Sequence, residues 1–146
     1  MNYNGKPLLQ HVYEECLKTK LDIVIAIPHG DYELIEFCEK NEIPYFAGPE
    51  NDVITRFYDT ARHHDFNPII RVCADSKEIN HKLILQQLKN YTKYDYPICY
   101  GNFCEVFGFD LLKYYCYTDK RPETREHVTY GMITDMTVNY WMDINV

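Results

Sequence analysis

The stretch L-D-I-V-I-A-I-P-H-G-D-Y-E-L-I-E-F-C-E-K-N-E-I-P-Y-F-A-G, Leu21 to Gly48, decides the fold class. Leu21 to Ile27 is a short apolar, β-branched run closed by Pro28-His29-Gly30-Asp31, the pattern of a buried strand and its turn. Tyr32 to Asn41 carries Leu34, Ile35 and Cys38 at helical spacing, and Ile43 to Ala47 reads as a second strand. Strand, helix and strand in so short a span make a βαβ unit, whose strands share a sheet through a right-handed crossover.

The alternation continues in both directions. Upstream, Pro7 to Lys20 reads as a helix with Leu8, Leu9, Val12, Cys16 and Leu17 on one stripe, and Pro7 suits its first turn. Downstream, Gly48-Pro49-Glu50-Asn51 breaks the second strand and Asp52 opens a helix to about His64. Ile69 to Cys73 is a third strand, Ile79 to Tyr91 a helix, and Pro97 to Tyr100 and Phe103 to Phe107 are strands around Gly101-Asn102. Helices over Phe109–Tyr117 and Glu123–Thr134 and a last strand over Thr137–Ile144 complete the pattern. The expected architecture is one α/β domain over residues 1–146, with a mostly parallel sheet and helices on both faces.

Composition narrows the function classes. With 146 residues, 46% of them hydrophobic and 15% aromatic, the chain can bury a core and does not read as disordered. Its 15 basic and 22 acidic residues give a net charge of −7 without a basic stripe, which argues against general nucleic-acid binding. No apolar run approaches the ~20 residues of a membrane helix. The first residues form no apolar signal segment, so the cytoplasm is the expected compartment, with no membrane partner. The six cysteines make no C-x-x-C pair and read as reduced, structural thiols, while the six histidines lack zinc-ligand spacing.

In open α/β sheets ligands bind beyond the carboxyl ends of the strands, so Pro28–Asp31, Gly48–Asp52 and Ala74–Glu78 are expected near one rim. Arg71, inside an apolar strand, needs an anionic partner, which Asp75 at the strand exit is placed to supply. Two readings stay open at this point. One is a structural ion pair; the other is a phosphate- or metal-binding constellation with Asp75 as a hard oxygen ligand for magnesium.

Five segments, in order, resemble the cytidylyltransferases that make CMP-activated sugars, in particular the branch of spore-coat polysaccharide biosynthesis. Gly5 to Val12 is similar to G-K-P-L-L-E-H-V, Asn51 to Tyr58 to D-D-V-L-x-R-Y-Y, and Ile69 to Asp75 to V-V-R-I-T-G-D. Glu105-Val106-Phe107 resembles the end of D-V-E-V-F, and Arg125 to Thr129 matches R-E-H-V-T. The resemblance implies a Rossmann-like nucleotide-sugar fold and a reaction in which CTP and a sugar acid hydroxyl join with release of pyrophosphate, assisted by Mg2+. It puts Asp75 on the magnesium aspartate, Arg71 on the strand arginine of the catalytic site, and Asp52 and Arg56 beside the nucleotide. Glu105, Arg125, Glu126 and His127 fall toward the acceptor sugar or a homodimer contact. His127 has a second role open to it, as a helix cap.

The departures from the family pattern weaken the catalytic face. G-D-C-P-L stands here as Ala74-Asp75-Ser76-Lys77-Glu78, and the aspartate two residues before Glu105 is Phe103, which can neither coordinate magnesium nor accept a proton. The chain is also expected to lack the family's N-terminal A-R-x-G-S-x-R loop, which cradles the triphosphate, and its C-terminal acidic segment. The expectation is a cytidylyltransferase-like protein of reduced or lost activity. The alternative is an inactive binding or assembly domain, for which the fourteen tyrosines offer contact surface unless they pack on the sheet.

Overall fold

The computed structural model describes residues 2–3, 5–101 and 103–135. In chain order the elements are β1 (Asn2–Tyr3), β2 (Lys6–Pro7), α1 (Leu8–Leu17), β3 (Ile25–Pro28), α2 (Tyr32–Lys40), β4 (Tyr45–Gly48) and α3 (Val53–His63). They continue with β5 (Ile69–Val72), α4 (His81–Tyr94), β6 (Ile98–Cys99), β7 (Cys104–Phe107), α5 (Phe109–Thr118) and α6 (Pro122–His127). These elements pack into two compact units, each made of two stretches of chain: Met1–Ile23 with Pro68–Phe107, and Val24–Asn67 with Gly108–Val146.

The second unit contains the βαβ unit read from the sequence. β3 and β4 pair in parallel, from Ile25 opposite Tyr45 to Pro28 opposite Gly48. The ladder begins at Ile25 rather than Leu21 because β4 follows Pro44, which has no N–H to extend it; the Pro44 carbonyl accepts from Ile25 N at 3.0 Å. Asp31 caps α2, accepting from Leu34 N at 3.1 Å. α3 buries Ile54, Tyr58 and Ala61, spaced to share one face, and packs on β3, β4, α5 and α6. The helix expected over Glu123–Thr134 is divided, with α6 ending at His127, Val128 at φ 57°, and residues 130–135 helical again. A positive φ is costly for a β-branched residue, and complete burial of the Val128 side chain offsets that cost. The strand expected over Thr137–Ile144 lies outside the described residues.

The first unit builds a three-stranded sheet in the order β5-β7-β6, with both pairings antiparallel, and β1 pairs antiparallel with β2. Parallel pairing is thus found at β3–β4, while the described pairings of this unit are antiparallel. The link between β6 and β7 is too short for the crossover that a parallel pair requires. Leu8, Val12, Ile79, Ile84 and Cys104 form the core here, with Cys16, Ile70 and Val72 against it. All six cysteines are free thiols, as the spacing implied. Burial pushes the Cys16 thiol up to about 11 and that of Cys104 to about 12, so neither is a ready nucleophile. Among the described residues, no helix is long and apolar enough to cross a membrane.

One buried polar side chain fixes the β6–β7 turn. Gln87 of α4 is 1% exposed, and its Nε2 donates to the carbonyls of Gly101 at 2.9 Å and Cys104 at 3.2 Å. Gln87→Leu keeps the volume but strips both carbonyls of their donor, at an expected cost of about 1–3 kcal/mol. A chemical-denaturation midpoint unchanged from the parent would refute that account of the turn.

Candidate functional site

In the first unit the strand register brings Arg71 of β5 directly opposite Glu105 of β7. Arg71 Nη1 donates to Glu105 Oε1 at 2.8 Å, and each side chain is 15% exposed. Glu105 therefore supplies the anionic charge that a strand arginine requires, from a position 34 residues away in the chain. Asp75 is exposed, in a turn closed by backbone bonds from Ser76 N to Cys73 O and from Ile79 N to Ser76 O. β5 and β7 thus carry a half-buried ion pair on the sheet, and the segment after β5 a solvent-facing carboxylate just past the strand end.

In the second unit Asp52 and Arg125 meet across 73 residues of chain. Arg125 Nε donates to Asp52 Oδ1 at 2.9 Å and Nη2 to Oδ2 at 2.9 Å, a two-pronged pairing. Nη2 also donates to Thr55 Oγ1 at 2.9 Å, and Nη1 donates to the carbonyls of Cys116 at 2.6 Å and Asp119 at 3.1 Å. A guanidinium has five N–H donors, so Arg125 is fully engaged within the protein. Partial burial works against ionisation of Asp52, but the Arg125 fork and the Thr55 hydroxyl outweigh it and hold the carboxyl below its ordinary value.

Arg56, the other arginine expected beside the nucleotide, donates from Nη1 to the carbonyls of Pro49 at 3.0 Å and Glu50 at 3.3 Å. It braces the link between β4 and α3. Its Cγ lies 2.9 Å from where a Cβ on Gly48 would stand, which accounts for glycine at the end of β4. Glu126 and His127 are mostly exposed on α6, with Oε2 and Nε2 3.8 Å apart.

The sequence pattern does not mark a second charged cluster, around Asp119. The Asp119 side chain is 6% exposed and accepts from Arg121 Nε at 2.9 Å, Arg121 Nη2 at 2.7 Å and Thr124 Oγ1 at 2.7 Å. The Arg121 guanidinium and the Thr124 hydroxyl hold the Asp119 carboxyl far below the usual range against the effect of burial. Asp119-Lys120-Arg121-Pro122 is a legible helix-stop and helix-start signal, but nothing in it announces that the aspartate turns inward. Among the described residues there is no group of three or more His, Cys, Asp or Glu side chains that could hold a metal ion.

Comparison with known proteins gives three likenesses. The family model described as "Cytidylyltransferase" matches residues 2–130. An uncharacterized protein of Methanocaldococcus jannaschii is 32% identical over 132 residues, which cover 84% of this chain and 54% of that protein. The solved structure of a cytidylyltransferase from Leptospira borgpetersenii serovar Hardjo-bovis superposes with a TM-score of 0.73 over 95% of this chain and 64% of its own, at 20% identity, a likeness of fold. The chain spans about half the length of the curated relative it matches.

Removing the Arg125 fork leaves Asp52 without its cation and the end of α5 without its cap. Arg125→Ala is expected to lower stability by about 2–4 kcal/mol, and Arg125→Lys to recover less than half, because an ammonium cannot form the fork and the caps together. Equal melting temperatures for the lysine variant and the parent would contradict this. The depressed Asp52 and Asp119 values also set an acid limit. Their contribution is complete above the unfolded carboxylate range, near pH ~4, and is lost as pH falls through the lower folded values. Asp119→Asn is expected to flatten the decline of melting temperature below pH ~4. A decline as steep as the parent's would show that other groups control it.

Proposed function

Given that the chain belongs to the cytidylyltransferase family, we propose that it binds CTP and directs cytidylyl transfer to the hydroxyl of a sugar acid, at a reduced rate. In that reaction the hydroxyl oxygen bonds to the α-phosphorus of CTP, the bond to the β-phosphate oxygen breaks, pyrophosphate leaves, and the hydroxyl proton passes to a base or to water. The observation that carries the proposal is the Arg71–Glu105 pair beside the Asp75 turn. It keeps a cation and a carboxylate fixed on adjacent strands, next to an exposed carboxylate.

The donor set suits magnesium only in part. Magnesium is commonly held by one or two carboxylates, with substrate phosphates and water completing the shell. Asp75, exposed at the strand exit, is the residue that would hold it. When bound, Mg2+ would offset the negative charge developing on the α-phosphate. Arg71 would orient the triphosphate, with Glu105 holding the guanidinium in position. Phe103, in the turn before Glu105, can neither coordinate magnesium nor accept a proton, which is the basis for the reduced rate.

A second reading, a binding or assembly domain that forms a homodimer, is favoured by the half-exposed rings of Tyr94, Tyr96 and Phe103 in the first unit and Tyr114 in the second. Calorimetric titration with CTP, UTP, ATP and GTP, with and without Mg2+, separates the two. The transferase reading expects a magnesium-dependent preference for CTP that Asp75→Asn abolishes without changing the melting temperature, followed by slow pyrophosphate release with sugar acids. No heat with any nucleotide at millimolar concentration, together with a dimer in sedimentation, would leave the assembly reading.

A further inference from the structure

The face of the second unit between α3 and the end of α5 holds a cleft of about 300 Å³ that plays no part in the proposed transfer. Arg62 and Lys120 line it, with Tyr58, Tyr117, Thr55 and Asp59. This volume is at the small end of the range for ligand sites, larger than an inorganic anion and suited to a small organic one.

The charge balance there is opposite in sign to that of the chain, whose net charge is −7. Arg125 also borders the cleft, but its charge is matched by Asp52. That leaves Arg62 and Lys120 against the single carboxylate of Asp59. The Arg62–Asp59 contact is loose, 4.0 Å from Nη2 to Oδ1, with the arginine side chain 66% exposed. Carbonyls at the end of α5, which would repel an anion, already accept from Arg125. The Tyr58 and Tyr117 hydroxyls lie 3.1 Å apart. One donates to the other, so the acceptor keeps a proton to give to a ligand. Arg62 Cζ stands 5.8 Å from the centre of the Tyr58 ring, which holds the guanidinium over the cleft, and the Tyr117 ring is 59% exposed.

We infer that this cleft binds a small phosphate monoester. Arg62 pairs with two phosphate oxygens, Lys120 and a tyrosine hydroxyl address the third, and the organic group rests on the Tyr117 ring. A guanidinium, an ammonium and a hydroxyl are three separate donor groups, enough to serve the three terminal oxygens of a phosphate monoester, whereas a carboxylate presents two oxygens in one plane. The site lies wholly within the second unit and does not depend on the transferase reading.

The test is amide NMR on the labelled full chain, titrated with phenyl phosphate, inorganic phosphate, benzoate and sodium chloride at matched ionic strength. Phenyl phosphate is expected to shift the amides of Thr55, Tyr117 and Lys120 and to bind more tightly than inorganic phosphate. Arg62→Ala and Lys120→Ala, both at exposed positions, should keep the dispersed spectrum of the parent and each weaken binding about tenfold. The proposal falls if benzoate or chloride gives the same shifts, if the shifts lie outside the cleft, or if both variants bind like the parent.

Discussion

Arg125 reaches from α6 to the Asp52 carboxylate and Thr55 hydroxyl at the start of α3, and to two carbonyls at the end of α5. Helix ends leave backbone groups without internal partners, and a helix is electrically negative at its C-terminus and positive at its N-terminus. A cation at the end of α5 and an anion at the start of α3 answer both demands, and they answer each other. Because α3 also packs on β3 and β4, fixing its start fixes the helix that the βαβ unit leans on. Beside it, Asp119 joins Arg121 and Thr124, and a Cβ on Gly131 would collide with the Asp119 carboxylate. The second unit is thus organised by two arginine–aspartate pairs as much as by its apolar core.

The first unit solves a related problem with strand register. Ile70 and Val72 turn to the core shared with α1 and α4, so Arg71 between them must point to the other face of the sheet. The same two-residue alternation on β7 puts Glu105 there. A register shifted by one residue would place the arginine against the opposite face of its partner and leave it buried without its carboxylate. The ion pair therefore selects the register as well as benefiting from it.

These internal pairings bear on chemistry. Asp52, Arg56 and Arg125 contact the protein's own backbone and side chains, which holds them still and uses hydrogen-bonding groups that a ligand would otherwise take. Asp75, Glu126 and His127 remain at the surface. Motif residues in this chain thus divide into a framework that keeps the helices in place, the Arg71–Glu105 pair on the sheet, and a smaller set left at the surface.

The sequence by itself determined the order of helices and strands from α1 to α6, the α/β class, the free thiols and the positions where charge had to be explained. Apolar spacing, β-branched runs and proline or glycine punctuation act over a few residues, so they can be read locally. Even there, Pro44 trimmed a strand and buried Val128 broke a helix, because a missing N–H and a core position outweighed local preference. Only the tertiary structure decided that Arg71 pairs with Glu105, that Arg125 closes on Asp52, and that Arg62 and Lys120 border one cleft. Each of these joins residues far apart in the chain. Their meeting depends on strand register and helix packing, which are set by the burial of the whole core and not by any segment alone.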